Sequence, residues 1–327
     1  MSNPNEKILR EIEAYIADIA LPAKPERLYA PIKYTLEEGG KRLRPMLLML
    51  AYELYGKLND GDHAGRDEAL AAAAAVEVFH NFTLLHDDIM DNAATRRGKD
   101  SVHVKWSENV AILSGDVMLI LAYQMLAKVQ GCNLAKVLEI FNTMAAEVCE
   151  GQQYDMDFEE QESVAVAHYL EMIKLKTAVL LGGATLIGAI LGGAPEGDHT
   201  TLQNFATELG LAFQLQDDLL DTYGDERLGK AIGGDILEGK QTFLKITALE
   251  RASREEHEAL LTTHRDPHLS DSEKILIIKE IYDKLEVAAA TETEIKQRFE
   301  SALALLAKIE GSAALAEYAK SLMNREK

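Results

Sequence analysis

The chain of 327 residues has few of the residues that interrupt helices or cross-link a fold. It contains seven prolines, five of them at or before Pro45, and none between Met46 and Ala194. Because proline ends or kinks a helix, that interval can hold long uninterrupted helices. The two cysteines, Cys132 and Cys149, are too few for a disulfide framework. These scarcities favour a helical protein in a reducing compartment.

The sequence also lacks features that would divide or redirect the chain. Its N-terminal stretch MSNPNEKILREIEAYIA has no apolar core of the kind that a signal peptide needs. No segment rich in Pro, Gly and Ser, and no abrupt change of composition, marks a domain boundary. We therefore predict a single domain over residues 1–327 and a cytoplasmic location.

Strand-like patterns are scarce as well. Clear alternation of apolar and polar residues is absent, whereas the strong helix formers Leu, Ala, Glu and Lys dominate the long interval without proline. The sequence therefore predicts an all-α fold. From Thr177 to Pro195 no residue is charged, which approaches the length of a membrane span. The stretch is short for a span, contains five glycines and begins beside Lys176, so we predict a buried helix and no transmembrane segment.

Positive charge is in the minority. Lys and Arg number 34 against 54 Asp and Glu, which gives a formal net charge of -20. This balance argues against nucleic acid as a partner. An anionic substrate is still possible, because screening over roughly 8 Å makes the local arrangement of charges decisive.

The stretch LLHDDIMD is the first concentration of acidic residues on an apolar helix. Asp87 and Asp91 stand four residues apart, so a helix places both carboxylates on one face, with Asp88 beside them. Such a like-charged pair costs an isolated helix roughly 0.2–0.5 kcal/mol unless a cation lies between them. Arg96 and Arg97 follow, and arginine forks onto phosphate oxygens. The pattern indicates a site for a metal-complexed phosphate ester.

The stretch GGKRLRP is the first basic cluster. Paired glycines suit a helix end, Pro45 suits a helix start, and Lys41 and Arg44 lie between them. Cations next to a helix N-terminus would attract phosphate. The same letters also describe a solvated basic turn. His80 lies on the acidic face of the predicted helix Asp67–Met90, which carries LLHDDIMD, and there it is either a ligand contact or a structural residue.

The stretch FQLQDDLLD repeats the acidic spacing 130 residues further on, with Asp217, Asp218 and Asp221. Two such motifs on apolar helices can face each other across a bundle and hold a shared set of ions. A loop rich in glycine and lysine follows, and it contains Lys230 and Lys240. Flexible backbone with spaced lysines suits a lid over phosphate, although both residue types are common in ordinary surface loops.

In this order the motifs GGKRLRP, LLHDDIMD, RRG, GQQYD, KT, FQLQDDLLD and GK...GGD...GK resemble those of the trans-prenyltransferases, the polyprenyl (isoprenyl) diphosphate synthase family. The resemblance runs from about Gly39 to Lys240. It implies a bundle of antiparallel helices around a deep central cavity, a homodimer, and magnesium as cofactor, usually three ions. The substrates it implies are isopentenyl diphosphate and an allylic diphosphate.

The resemblance also implies a role for each matching residue. Asp87 and Asp91 would ligate two magnesium ions with Asp88 in support, and Asp217 would ligate the third with Asp221 acting through water. The Thr177 hydroxyl and the Gln214 amide oxygen would face the allyl cation. The expected contacts to the allylic diphosphate are Arg96, Lys176, Lys230 and Lys240, and those to the diphosphate of isopentenyl diphosphate are Lys41, Arg44, His80 and Arg97.

Product length is predicted from two phenylalanines. In the family the residue five positions before the first Asp often forms the cavity floor, and here it is Phe82, with Phe79 three residues deeper. This floor favours a C15 to C20 product, and small Thr83 shifts the preference slightly towards geranylgeranyl diphosphate. A longer-chain polyprenyl diphosphate synthase is the alternative.

Three other classes share part of this pattern. An HD-type phosphohydrolase could use His86 and Asp87 with His63 or His80 as metal ligands, but it leaves the second acidic motif and the basic clusters without a role. A noncatalytic subunit of a partner synthase tends to lose an acidic motif, and both are intact here. A terpene cyclase would not need GGKRLRP or a second diphosphate site.

Overall fold

The computed structural model describes residues 4–58, 65–131, 133–224 and 232–323, so Lys230 and His63 lie outside the described residues. Helices form nearly all of the regular structure, which confirms the all-α prediction. The helices of the first part of the chain are α1 (Pro4–Ala17), α2 (Glu26–Leu36), α3 (Leu43–Leu58), α4 (Arg66–Met90), α5 (Val102–Lys105), α6 (Glu108–Leu126) and α7 (Asn133–Glu159).

The second part begins with α8, which continues through a π-helical turn at Lys174–Ala178 into α9. Its helices are α8 (Val166–Ile173), α9 (Val179–Leu191), α10 (Glu196–Tyr223), α11 (Gly234–Glu238), α12 (Phe243–Arg251), α13 (Arg254–Thr262), α14 (Asp271–Lys284), α15 (Val287–Leu306) and α16 (Ala313–Met323).

The chain divides into two compact units, each built from separate segments. Unit 1 comprises Met1–Thr143, Leu180–Gln203 and Leu306–Tyr318. Unit 2 comprises Met144–Val179, Asn204–Leu305 and Ala319–Lys327. The single domain over residues 1–327 and the central cavity stay predictions.

Within unit 1, α4 is the helix around which the other elements pack. Its residues Ala71–Ala75 are buried, and it packs along α6 and also against α3 and α1. Alanine side chains are small enough for neighbouring helices to approach closely. The polar end of α4 is thereby held in a fixed direction, and this end carries the first acidic motif.

The apolar stretch that follows Thr177 is buried, as predicted, and its glycines explain how. Residues 178–190 are all buried. A Cβ at Gly188 would overlap the backbone of Leu48 in α3, and one at Gly192 would lie 2.6 Å from the Tyr52 carbonyl oxygen. Glycine at these positions therefore allows α9 and α3 to touch backbone to backbone.

Three described helices are long and apolar enough to cross a membrane, judged by length and composition alone. The most apolar window is 67% buried in Arg66–Met90 and 83% buried in Val166–Leu191, but only 39% buried in Glu108–Leu126. Protein covers most of the first two windows, whereas α6 keeps an exposed apolar face. The absence of a transmembrane segment stays a prediction.

A small β-hairpin after the first acidic motif is a departure from the sequence-based expectation. Strands β1 (Thr95–Arg96) and β2 (Lys99–Asp100) pair antiparallel, and Arg96 is opposite Lys99. The two turn residues, Arg97 and Gly98, have φ values of 52° and 77°. Two positive φ angles match the twist of a tight two-residue hairpin. The turn separates the directions of Arg96 and Arg97.

Candidate active site

The first acidic motif lies at the C-terminal end of α4. Asp87 and Asp88 are in the last turn, and Asp91 is the C-cap residue. Free carbonyl groups make a helix C-terminus electronegative, which disfavours carboxylates and favours cations there. At this position the carboxylates of the motif need a nearby positive charge to stabilise them.

Arg96 supplies part of that charge. Its Nε donates to Asp88 Oδ1 at 2.6 Å, and its Nη2 donates to Asp87 Oδ2 at 3.2 Å. Asp88 is only 4% exposed, and burial raises the pKa of its carboxyl group while Arg96 opposes the rise. The structure thus brings Arg96 together with the two aspartates that were predicted to act with it.

Arg97 lies on a different surface. Its Nη1 donates to the carbonyl oxygen of Gly39, and a Cβ at Gly40 would come within 3.2 Å of the same nitrogen. The hairpin therefore sends one arginine to the acidic motif and the next to the GGKRLRP turn. This is the division that the assignment of Arg96 and Arg97 to two different diphosphates requires.

Lys41, Arg44, His80 and Arg97 form the basic group of unit 1, and His80 lies near two of its arginines, Arg44 and Arg97. Its Nε2 lies 3.0 Å from Nη1 of Arg44. Burial first, and then the charges of Arg44 and Arg97, lower the pKa of His80 well below its usual value. A neutral imidazole can accept the hydrogen bond of Arg44, so His80 holds this guanidinium as a neutral partner. Lys41, in the same turn, is exposed.

The second acidic motif lies near the C-terminal end of α10, and its middle residue is buried. Asp218 is 6% exposed and accepts hydrogen bonds from the Tyr169 hydroxyl and, at 3.0 Å, from the Gln214 amide nitrogen. The Thr177 hydroxyl donates to the Gln214 amide oxygen at 3.0 Å. Asp218 therefore orients both residues that were predicted to face the allyl cation.

Negative charge accumulates around this motif. Asp221 accepts a hydrogen bond from the backbone N–H of Asp235 at 3.0 Å. Burial, followed by repulsion from Asp217 and Asp221, raises the pKa of Asp218. Burial first, and then the charges of Asp218 and Asp221, raise the pKa of Asp235, and Lys240 only partly opposes this rise. A cation bound here would relieve the repulsion.

The predicted lysines of unit 2 divide into three cases. Lys176 donates to Asp155 Oδ2 at 2.6 Å, and a Cβ at Gly151 would overlap the backbone of Lys176. The GQQYD motif therefore positions this lysine through its glycine and its aspartate. Lys240 lies 3.0 Å from Glu238. Lys230 lies outside the described residues.

The carboxylates of the two motifs suit a divalent ion whose coordination shell is completed by substrate phosphates. Among the described residues, no group of three or more His, Cys, Asp or Glu side chains could hold an ion by itself. Magnesium usually takes only one or two carboxylates and fills its remaining positions with water and substrate phosphates. Asp87 and Asp91 in unit 1, and Asp217 with Asp221 in unit 2, are oxygen donors at electronegative helix ends and suit that ion.

The two phenylalanines predicted to limit product length belong to an aromatic cluster of unit 1. Phe79 is 1% exposed, and its ring centre lies 5.6 Å from that of Phe82 and 5.2 Å from that of Phe141. Phe82 in turn lies 4.7 Å from the ring of His86. Phe141 was not identified from the sequence, because it comes from another helix, α7.

Sequence reasoning missed Asp155 and Tyr169 as well as Phe141. Tyr169 and Asp218 are 49 positions apart, and nothing in the local pattern joins them. The signal that was available is the acidic motif itself. A middle aspartate on an apolar helix needs a buried hydrogen-bond donor, and a tyrosine that precedes the KT pair is a candidate for that donor.

Comparison with known proteins identifies the class that this fold and this arrangement of charges define. The profile of the family described as polyprenyl synthetase matches residues 25–285. The chain therefore belongs to the polyprenyl synthetase family and is a prenyltransferase. The resemblance to trans-prenyltransferases is confirmed, and members of this family use a divalent metal.

Individual relatives cover most of the chain. It is 43% identical over 243 residues to a geranylgeranyl diphosphate synthase of Methanosarcina mazei, covering 73% of each chain. It is 38% identical over 317 residues to a short chain isoprenyl diphosphate synthase of Methanothermobacter thermautotrophicus, covering 96% of this chain and 94% of that one. A crystal structure of a geranylgeranyl pyrophosphate synthase superposes with a TM-score of 0.89 at 39% identity, covering 99% and 100%.

Proposed function

We propose that the protein condenses isopentenyl diphosphate with an allylic diphosphate head to tail, in a 1'-4 linkage, and releases diphosphate. The observation that carries this proposal is the separation of Arg96 and Arg97. A two-residue turn sends Arg96 to Asp87 and Asp88, and Arg97 to the backbone of Gly39. Two guanidinium groups on two surfaces suit two diphosphates that must be bound apart, whereas hydrolysis of one ester needs only one.

The residues divide the chemistry between them. Magnesium held by Asp87 and Asp91 in unit 1, and magnesium held by Asp217 in unit 2, would supply Lewis-acid stabilisation of a departing diphosphate. Arg96, Lys176 and Lys240 add positive charge to that leaving group. The Thr177 hydroxyl and Gln214 side chain present dipoles to the allyl cation. The released diphosphate takes the final proton.

The second diphosphate is bound by the basic group of unit 1. Arg44 and Arg97 offer planar guanidinium groups, and Lys41 offers an exposed ammonium group. His80 orients Arg44 by accepting its hydrogen bond. These residues bind the diphosphate of isopentenyl diphosphate and leave its double bond free to attack the allyl cation.

The product is an all-trans prenyl diphosphate of C15 to C20, with geranylgeranyl diphosphate slightly preferred. Phe82 packs against Phe79, and Phe79 packs against Phe141, so the limit on chain length is built from several packed rings rather than from one side chain. The names of two relatives, both geranylgeranyl synthases, support the C20 product.

The enzyme acts as a homodimer in the cytoplasm. Helix α6 exposes a row of apolar side chains, among them Leu113 at 56% and Ile120 at 54%. These two residues are seven positions apart and therefore share one face of the helix. A second copy of the chain would cover that face. Sedimentation of the wild type and of Leu113→Glu tests this point, and the variant should be the smaller species.

The decisive assay combines labelled isopentenyl diphosphate, magnesium, and a C5, C10 or C15 allylic primer, followed by sizing of the products. We expect diphosphate release only when both substrates are present. Steady release of phosphate from one substrate alone would instead support a phosphohydrolase. A product set dominated by chains longer than C20 would replace the short-chain assignment with that of a longer-chain synthase.

Truncation of the aromatic cluster tests the limit on chain length. Phe82→Ala should lengthen the product by one or more C5 units, and Phe79→Ala should lengthen it less on its own because Phe82 still covers it. Phe158→Ala is the matched control, since Phe158 is a buried ring of unit 2. If Phe82→Ala and Phe79→Ala both form the same product as the wild type, these two rings do not determine product length.

A further inference from the structure

Arg42 is the charged residue of GGKRLRP that has no assigned role, and its side chain is buried. It is 6% exposed, whereas its neighbour Lys41 is exposed. We propose that Arg42 and its partner Glu77 position the isopentenyl diphosphate site without contacting the substrate. This inference rests on the function proposed above, because it concerns the second diphosphate of that reaction.

The contacts of Arg42 connect three elements. Its Nη1 donates to Glu77 Oε1 at 2.7 Å, and its Nη2 donates to the carbonyl oxygen of Leu36, the last residue of α2, at 3.1 Å. Glu77 is 3% exposed, and its carbonyl oxygen accepts a hydrogen bond from the Asn81 amide at 2.7 Å. The turn before α3 is thereby fixed to the end of α2 and to the middle of α4.

The backbone of the turn depends on these contacts. Arg42 has a φ of 46°, in the left-handed region that residues with a Cβ seldom adopt. Such a conformation persists only where the surrounding contacts determine it. Both terminal nitrogens of the Arg42 guanidinium, Nη1 and Nη2, donate hydrogen bonds. We infer that these two hydrogen bonds keep the turn in this conformation.

The same turn sets the geometry of the cations around it. Arg42 and Arg44 are two residues apart, and their partners Glu77 and His80 are one turn apart on α4, so the two arginines form parallel contacts with one helix. Gly39, which accepts the hydrogen bond of Arg97, lies just before this pair. Loss of the Arg42 contact would release the side chains on both sides of it.

Loss of a purely structural ion pair would lower the stability of the protein and leave its kinetics unchanged. The test therefore needs a matched control. Arg66 provides one, because it is also in unit 1 and pairs with Glu53 at 2.8 Å and with Glu11. We compare Arg42→Met with Arg66→Met. Both should lower the melting temperature, since each removes an arginine that forms an ion pair with at least one carboxylate. Only Arg42→Met should raise the KM for isopentenyl diphosphate, by at least tenfold, with the KM for the allylic substrate within twofold.

A double variant separates positioning from stability. An apolar replacement of both partners often restores the stability of a buried ion pair. Arg42→Met/Glu77→Leu should therefore recover the melting temperature but keep the raised KM. Recovery of both quantities together would overturn the inference, and so would an unchanged KM in folded Arg42→Met.

A conservative variant covers the case in which Arg42→Met does not fold. Arg42→Lys keeps a positive charge beside Glu77 but cannot fork to the Leu36 carbonyl as well. Its KM for isopentenyl diphosphate should rise by about threefold, and a KM equal to that of the wild type would contradict the inference. If the wild type itself forms no product from the two substrates, the proposed function fails. If it does, and the variants match it, only the present inference fails.

Discussion

The two acidic motifs share one spacing but satisfy their carboxylates by different means. In unit 1, Arg96 forms ion pairs with Asp87 and Asp88 at 3.2 and 2.6 Å. In unit 2, Asp218 receives its hydrogen bonds from neutral donors, Tyr169 and Gln214. The buried middle carboxylate of the first motif, Asp88, is therefore paired with a cation, whereas that of the second, Asp218, is held by neutral groups.

The difference indicates which motif depends more on a bound cation. The raised pKa values of Asp218 and Asp235 in unit 2 both result from burial and from repulsion among neighbouring carboxylates. In unit 1 the charge of Arg96 opposes the rise in the pKa of Asp88. Without metal, unit 2 should thus carry the larger electrostatic strain.

The largest expected effect comes from removing one charge of each motif. Asp87→Asn and Asp217→Asn should each lower kcat on the order of 10³-fold, as expected when a group that stabilises charge in the transition state is lost. Their melting temperatures without metal should move in opposite directions. Asp87→Asn loses an ion pair with Arg96, whereas Asp217→Asn removes repulsion from Asp218.

Steady-state kinetics with saturating magnesium and thermal unfolding without metal measure the two parts of this prediction. Asp157→Asn, an exposed aspartate of α7, is the control and should change neither. Near-normal turnover of Asp87→Asn would remove the first motif from catalysis. Equal shifts of the melting temperature in Asp87→Asn and Asp217→Asn would show that the electrostatic strain of the two motifs does not differ.

A smaller effect should follow from the neutral donors of unit 2. Tyr169→Phe keeps the ring but removes the hydroxyl that donates to Asp218, and Asp218 orients Gln214 and through it Thr177. We expect kcat to fall about tenfold, which corresponds to about 1.4 kcal/mol, with both KM values within twofold.

Tyr55→Phe is the matched control for that variant. The Tyr55 hydroxyl donates to Asp198 Oδ2 at 2.8 Å, so the same chemical group is removed from a buried tyrosine of unit 1. Its kcat should match that of the wild type. A fall of equal size in both variants would show that loss of stability, and not orientation of Gln214, explains the result.

The smallest expected effect is a change in stability, and it concerns a buried cation of each unit. Arg42 in unit 1 faces the carboxylate of Glu77, whereas Lys245 in unit 2 donates to the backbone carbonyl of Gly239 at 2.8 Å. Burial lowers the pKa of Lys245 from 10.5 to about 8. The folded state therefore binds fewer protons than the unfolded state between these two values, and the contribution of this group to stability rises with pH there.

Lys245→Met should consequently stabilise the protein at pH 7, but only by on the order of 1 kcal/mol, because the Gly239 carbonyl oxygen loses this hydrogen bond. The advantage should shrink as the pH rises from 8 to 10.5. Denaturant unfolding at several pH values measures the difference between variant and wild type. Lys33→Met is the control for the loss of a lysine side chain, because that lysine is exposed. A constant difference across the range would mean that Lys245 is not the titrating group.

Much of the site was predictable because its chemistry is written in short motifs. The helix ends that carry Asp87 and Asp217, the association of Arg96 with the first motif, and the grouping of Arg44, His80 and Arg97 were all expected from spacing and from the family resemblance. The hairpin was not expected, although the letters RRG contain its signal, since Gly98 suits a positive φ. The lone Glu77 within a run of alanine and valine was a further signal that a buried partner must exist.

By itself the sequence determined the helical class, the family, and the types of charge at each motif, because these depend on residue identity and on spacing within one helix. Only the tertiary structure decided which side chains are partners. Arg42 with Glu77, Tyr169 with Asp218, and Phe79 with Phe141 are separated by 35, 49 and 62 positions respectively. Such contacts arise from the packing of whole helices, and no local pattern encodes them.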